Sequence, residues 1–301
     1  MTSSHDAPLA VGLQRGLAHD AEGGVEVPIA WLYPTRAPAR ETAFGPYTLE
    51  VAERAEVLDR PLRACILSHG NGSSPWVHRA LASALAKAGH VVAMVEHPGN
   101  RRGDNALAGT YENLLRRPRH LRLAIDATLG AERIGAHLTD ERVSVIGHSV
   151  GGYTALAVAG GAAVSFERES PEGERRALPV LRDARVSKLV LLTPATPWFF
   201  PPGSLRAVEV PILMVTGSLD EETPEVHAQA VLAMVPYPER VTHRRVEGAG
   251  HFSVLTPFPP ALCRPEFPPS QDPPGFDRAA FQSQLHQWVI AFLDEAEGAA
   301  L

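Results

Sequence analysis

Cysteine is nearly absent from the 301-residue chain, which has only Cys65 in an apolar run and Cys263 in a Pro-rich segment. A disulfide framework and a paired-cysteine zinc site therefore lack their raw material, and the fold must rest on its core. No stretch reaches the roughly eighteen uninterrupted apolar residues that a membrane-spanning helix requires. Residues 1–13 have neither the basic start nor the continuous apolar run of a secretory signal, so a soluble cytoplasmic protein is expected. Basic residues form no block: 28 Lys and Arg stand against 34 Asp and Glu, a net charge of -6. Without an electrostatic footprint for a polyanion, nucleic acid is not an expected partner.

What is present is an ordinary globular composition, 45% hydrophobic and 21% charged, in a chain long enough for one large α/β domain or two small ones. No internal repeat and no linker divides it, so residues 1–301 are read as a single domain. Residues 9–17 and 25–33 look extended on either side of turn residues 20–24, which suggests an opening hairpin spanning about 9–33. Residues 34–57 then wander through Pro and polar positions. Short apolar runs follow at Leu62–Ser68, His90–Val95, 142–146, 187–192, 212–216 and, more weakly, Val241–Val246. Their near-continuous apolar character fits strands buried on both faces of a parallel sheet.

Helical periodicity fills the gaps between these runs. Residues 76–88 stop at Gly89, and 118–129 place Leu121, Ile125 and Leu129 on one face. Residues 152–159 form a small-residue helix, 225–234 open behind Pro224, and 277–295 align Phe281, Leu285, Trp288 and Phe292. Alternating strands and helices predict an α/β fold, a doubly wound, mostly parallel sheet with helices on both faces. Two stretches, about 165–185 and 255–276, are too polar or too Pro-broken for sheet elements and are read as cap-like loop insertions.

The chemistry centres on Gly147-His148-Ser149-Val150-Gly151, which lies between a buried strand and a helix. A nucleophile on so sharp a turn has strained backbone angles and close neighbours, hence glycine two residues to either side. The bare pattern arises by chance in about a tenth of chains this size, so its strand-to-helix placement is what marks Ser149 as a nucleophile. A serine hydroxyl needs a base within reach and an acid to orient that base, in the chain order Ser, Asp or Glu, His. Asp220 follows the strand 212–216 and supplies the acid, ahead of Glu221 and Glu222. His251, in Gly248-Ala249-Gly250-His251-Phe252, supplies the base, ahead of His243 and His286. An oxyanion hole needs two N–H donors, one from Val150 and one from the loop after the strand Leu62–Ser68, where Asn71 is the choice. His69, His97 and His148 lack the short helical spacing of a zinc hydrolase, so no metal is expected. Trp198 and Phe199, together with the segment containing Leu255 and Phe258, are expected to line the acyl side of the pocket.

Beyond these residues, Tyr33-Pro34, Phe44-Gly45-Pro46-Tyr47, Ser68-His69-Gly70-Asn71-Gly72, Glu96-His97-Pro98-Gly99-Asn100, Arg117-Pro118, the Ser149 motif and Gly250-His251-Phe252-Ser253 occur in one order. In that set the chain resembles the α/β-hydrolase superfamily, and within it the predicted dienelactone hydrolases that look like platelet-activating-factor acetylhydrolases. The resemblance implies a Ser-Asp-His hydrolase that needs no cofactor and takes a small-molecule ester or acyl substrate. Two departures stand out. Dienelactone hydrolase proper looks to use a cysteine nucleophile where this chain has Ser149. The acetylhydrolase acid position, after Leu192, holds Thr193-Pro194, so the acid moves to Asp220. A serine carboxylic-ester hydrolase is the leading reading. The same machinery would serve an amide, a thioester or a ring-closing acyl transfer, and the scaffold alone would serve as a binding module.

Overall fold

The computed structural model describes residues 8–295; residues 1–7, part of the segment read as lacking a targeting signal, lie outside them, as do 296–301. In chain order the elements are β1 (Ala10–Asp20), β2 (Val25–Thr35), β3 (Arg40–Phe44), β4 (Tyr47–Glu53), β5 (Leu62–Ser68), α1 (Arg79–Ala88), β6 (His90–Val95) and α2 (Tyr111–Leu129). They continue with α3 (Glu132–Gly135), β7 (Leu138–His148), α4 (Val150–Val158), β8 (Val186–Leu192), β9 (Ile212–Gly217), α5 (Val226–Met234), β10 (Val241–Val246) and α6 (Arg278–Asp294).

The strands form one sheet in the order β10-β9-β8-β7-β5-β6-β2-β1-β4-β3. From β10 to β6 every neighbouring pair is parallel, whereas β2 runs antiparallel to β6 and to β1. Period-2 alternation divides the side chains between two cores. In β5, Ala64 and Ile66 join one cluster with α2, α4 and α5, while Cys65 and Leu67 join another with α1 and α6. Both faces are therefore covered, which is why the central strands are apolar throughout. Among the described residues no helix is long and apolar enough to cross a membrane.

Three local differences from the sequence reading have physical causes. Residues 34–57 contain a second hairpin, β3–β4, whose turn passes through Gly45 at φ 61°. Its strands are short and polar, so neither length nor apolar period announced them. At 76–88, Pro75–His78 form a 3-10 turn before α1, which Gly89 closes in the left-handed region at φ 109°. Helix α2 begins not at Pro118 but two turns earlier, capped by Thr110, whose hydroxyl accepts from the Asn113 N–H at 3.1 Å. Pro118 lies inside the helix, where it cannot donate to the Leu114 carbonyl. The Tyr153 hydroxyl donates to that carbonyl instead, at 2.9 Å, from within the core.

Successive strands run outward in opposite directions from β5, toward β6 on one side and β7 on the other. The crevice beyond their carboxyl ends is the place where such sheets gather ligands. The loop after β5 and the turn after β7 meet there.

Candidate active site

At the β7–α4 turn, Ser149 has φ 54° and ψ -119°, a strained combination for a residue with a Cβ. Three backbone bonds hold it: Ser149 N–H to Leu192 O at 3.0 Å, Gly152 N–H to Ser149 O at 2.8 Å and Ala195 N–H to Ser149 O at 2.9 Å. The flanking glycines answer to packing. A Cβ on Gly147 would overlap the Gly151 carbonyl, and one on Gly151 would overlap the Ser68 carbonyl at the end of β5. The elbow is thereby pressed against the loop that follows β5.

Past the end of β9, Asp220 is buried, and its Oδ2 lies 2.9 Å from His251 Nδ1. The Glu222 and Thr223 N–H groups donate to Asp220 Oδ1 at 3.0 and 2.8 Å, and the Thr223 hydroxyl donates to Oδ2 at 2.7 Å. Burial pushes this carboxyl up, but the hydrogen bonds from His251 and Thr223 outweigh it and hold Asp220 below the usual carboxylate range. Glu221 and Glu222 are exposed. His251 sits on a loop fastened from both sides. The Thr193 hydroxyl donates to its carbonyl at 3.1 Å, and the Gly250 N–H donates to Ser253 Oγ at 3.0 Å. Ser253 in turn donates to Asp272, which the buried Arg278 also engages.

Thr193 and Thr223 were not anticipated from the sequence. Thr193 occupies the place where the resemblance led one to look for an acid. It has φ 41°, and its carbonyl oxygen lies 3.2 Å from the Thr223 hydroxyl, so it links the Asp220 loop to the His251 loop. Threonine three residues after an aspartate is a common loop pattern, and only its tertiary partners distinguish this one.

The loop after β5 crosses directly over the elbow. A Cβ on Gly70 would stand 3.3 Å from Ser149 Cβ. Asn71 follows in this loop, and its Oδ1 accepts from Asn100 Nδ2 at 2.6 Å. Val150 opens α4, and the first N–H groups of a helix have no partner within it. The elbow residue His148 is buried between His78 and His251, with ring centroids 5.2 Å from each. Burial first, then its histidine neighbours, keep its imidazole well below the usual range and hence neutral.

A cavity of about 300 Å³ opens at this crevice, lined by Ser149, His148 and His251, by Gly70, Asn71 and Gly72, and by an apolar wall. Leu255, Phe258, Leu262 and Phe267 from the 255–276 insertion form much of that wall, with Tyr47 at the start of β4, its ring 6.1 Å from that of Phe258. The expectation for Trp198 and Phe199 is not met. Both are core residues outside the cavity lining, the Trp198 ring 4.9 Å and the Phe199 ring 5.5 Å from that of Tyr153. A 3-10 turn over Pro197–Phe199 rotates them inward, and the Trp198 indole donates to the buried Glu169 carboxylate at 2.9 Å. Residues 165–185 likewise contribute nothing to the lining. They pair back on themselves at Val164 and Ala177 and lie beside α2, where the Tyr111 hydroxyl donates to Ala177 O at 3.2 Å.

Comparison with known proteins places this geometry. Residues 65–203 match the family model described as alpha/beta hydrolase fold. Among solved structures, a ferulic acid esterase from Streptomyces cinnamoneus superposes with a TM-score of 0.65 at 19% identity, covering 99% of this chain and 96% of that one. A predicted CIB-like hydrolase from Thermoplasma acidophilum gives 0.54 at 16% identity over 94% and 98% of the two chains. A dienelactone hydrolase-like promiscuous phosphotriesterase from metagenomic libraries gives 0.60 at 14% identity over 93% and 97%. No curated protein matches the sequence.

Proposed function

From the α/β-hydrolase fold that residues 65–203 match, we propose that the chain is a serine hydrolase of small carboxylic esters. In this reading Ser149 Oγ attacks the ester carbonyl while His251 takes its proton. Asp220 keeps the imidazole in the tautomer with hydrogen on Nδ1 and stabilises the imidazolium that forms. The Asn71 and Val150 N–H groups receive the negative charge that develops on the carbonyl oxygen. His251 then returns the proton to the departing alcohol, and water, activated by the same imidazole, releases the acid.

The observation that carries the reading is the 2.9 Å contact between Asp220 and His251 Nδ1, with Ser149 and His251 facing one cavity. The apolar wall of Leu255, Phe258, Leu262 and Phe267 suits the acyl or aryl arm of an ester, and the structural likeness to a ferulic acid esterase accords with such a substrate. The motif set, together with the dienelactone hydrolase-like neighbour, favours that branch of the superfamily, with serine in place of cysteine. A fluorophosphonate probe tests the proposal directly. Labelling at Ser149, and loss of both labelling and ester turnover in a folded Ser149→Ala variant, are expected; a variant as active as wild type refutes it.

A further inference from the structure

We propose that Arg117, on α2, is a positioning residue that sets the loop-borne oxyanion donor, the Asn71 N–H, from one buried guanidinium. The inference rests on the reading of Asn71 as that donor and deepens it.

Arg117 is fully buried, and its hydrogen-bond partners contain no carboxylate. Its Nε–H donates to Thr154 Oγ1 at 3.1 Å, Nη1 to Asn100 Oδ1 at 2.7 Å, and Nη2 to Ser68 Oγ at 3.2 Å and to the His69 carbonyl. Each contact leads onward to the elbow or to the loop above it. Thr154 donates to the Val150 carbonyl at 3.0 Å, and Asn100 donates to Asn71 Oδ1 at 2.6 Å. Ser68 and His69 are the last residue of β5 and the first of its loop.

The peptide that carries the Asn71 N–H is oriented by the same cluster. In a trans peptide the N–H points opposite to the carbonyl, so fixing the Gly70 carbonyl aims the Asn71 N–H. His69 Nδ1 lies 2.8 Å from the Gly70 oxygen, while its Nε2 accepts from the His97 N–H at 3.3 Å. Nδ1 therefore carries the hydrogen and donates it. Arg117 in turn fixes the His69 carbonyl.

Burying an ion without a counter-ion is costly, and well-packed apolar residues usually hold a core as well or better. A guanidinium here is explained by its fork: five donors on a rigid plane reach the loop, the elbow helix and Asn100 at once.

The test compares Arg117→Lys, which keeps charge but loses the fork, with Asn100→Ala, which leaves the guanidinium and cuts its link to Asn71. Each variant is checked for fold by circular dichroism, then assayed on an ester substrate and with two ketone inhibitors. A trifluoromethyl ketone forms an oxyanion adduct with serine; the parent methyl ketone reports ground-state binding. For both variants kcat should fall about 10- to 100-fold with KM changed less than about threefold, since a loosened donor loses part of what a deleted donor loses. Trifluoromethyl ketone affinity should fall in step with kcat/KM, and methyl ketone affinity should hold. A folded variant with kcat within about twofold of wild type, or equal losses for both ketones, overturns the proposal. Should Arg117→Lys fail to fold, Asn100→Ala decides alone. Failure of the wild type to label at Ser149 would instead sink the underlying hydrolase reading.

Discussion

Acidification from pH 7.5 to 5.5 should lower stability through five buried histidines, with about 3 kcal/mol of the loss from His78 and His120 alone. His69, His78, His97, His120 and His148 are buried. Desolvation pushes His78 down to about 3 and His120 to about 4, and holds the other three well below the ordinary range. At pH 5.5 the folded protein therefore leaves His78 and His120 neutral, and burial biases the other three the same way, while in the unfolded chain each titrates near pH 6.5. The unfolded state binds more protons throughout this window, so stability falls as pH falls and is complete only above about pH 7.5. His78 and His120 together account for about 3 kcal/mol between pH 7.5 and 5.5, and His69, His97 and His148 act in the same direction. Against a typical stability of roughly 5–15 kcal/mol, that is a large share. Asp20, Asp183 and Asp220, held below the carboxylate range, add nothing here because both states are ionised; their share is lost only below about pH 4. Urea titrations at pH 7.5, 6.5 and 5.5 measure the slope. His78→Leu, which removes two ring nitrogens without partners, should flatten it by about 1 kcal/mol over this range. A stability change under about 2 kcal/mol over this range, or an unaltered slope in His78→Leu, would refute the reasoning.

Asp220→Asn should lower kcat by several orders of magnitude, roughly 10⁴ by the best-studied triad, in steady-state ester assays. Thr223→Val, which deletes a hydroxyl 2.7 Å from Asp220 Oδ2 and 3.1 Å from His251 Nδ1, should cost about tenfold in kcat with little change in KM. Tyr153→Phe should destabilise by about 1–3 kcal/mol by orphaning the Leu114 carbonyl. In a Pro118→Ala background, where the helix again offers an N–H, chemical denaturation should show most of that loss gone. Trp198→Ala should lower the melting temperature while leaving acyl-length preference unchanged; a shifted preference would return this residue to the pocket wall.

The elbow was legible because its constraints are local. Gly147 and Gly151 face backbone within a few residues or on the adjoining strand, and a strand-turn-helix pattern reveals such a place. The pairing of Asp220 with His251, 2.9 Å apart, was legible through chain order and through their positions past strand ends. Proline misled at α2: a residue usually read as a helix start sits mid-helix because Tyr153, far away in sequence, satisfies the carbonyl it leaves open. Trp198 and Phe199 misled because a loop was equated with the surface, whereas a single 3-10 turn carries both into the core. Thr193, Thr223 and Thr154 act only through partners brought by folding, and nothing in their sequence neighbourhood separates them from ordinary threonines.

The two outermost strands guard against a hazard that a sheet of this width would otherwise carry. An open edge offers unpaired backbone groups to any strand that approaches, including one from another molecule. At one border β10 displays the exposed Arg244 and Arg245; at the other, five-residue β3 begins with the exposed Arg40 and Glu41. Charge and brevity make both borders poor templates for intermolecular pairing. Replacing Arg244 and Arg245 with valine would leave the cavity untouched and yet invite the protein to polymerise through its margin, a colloidal failure arising far from the chemistry.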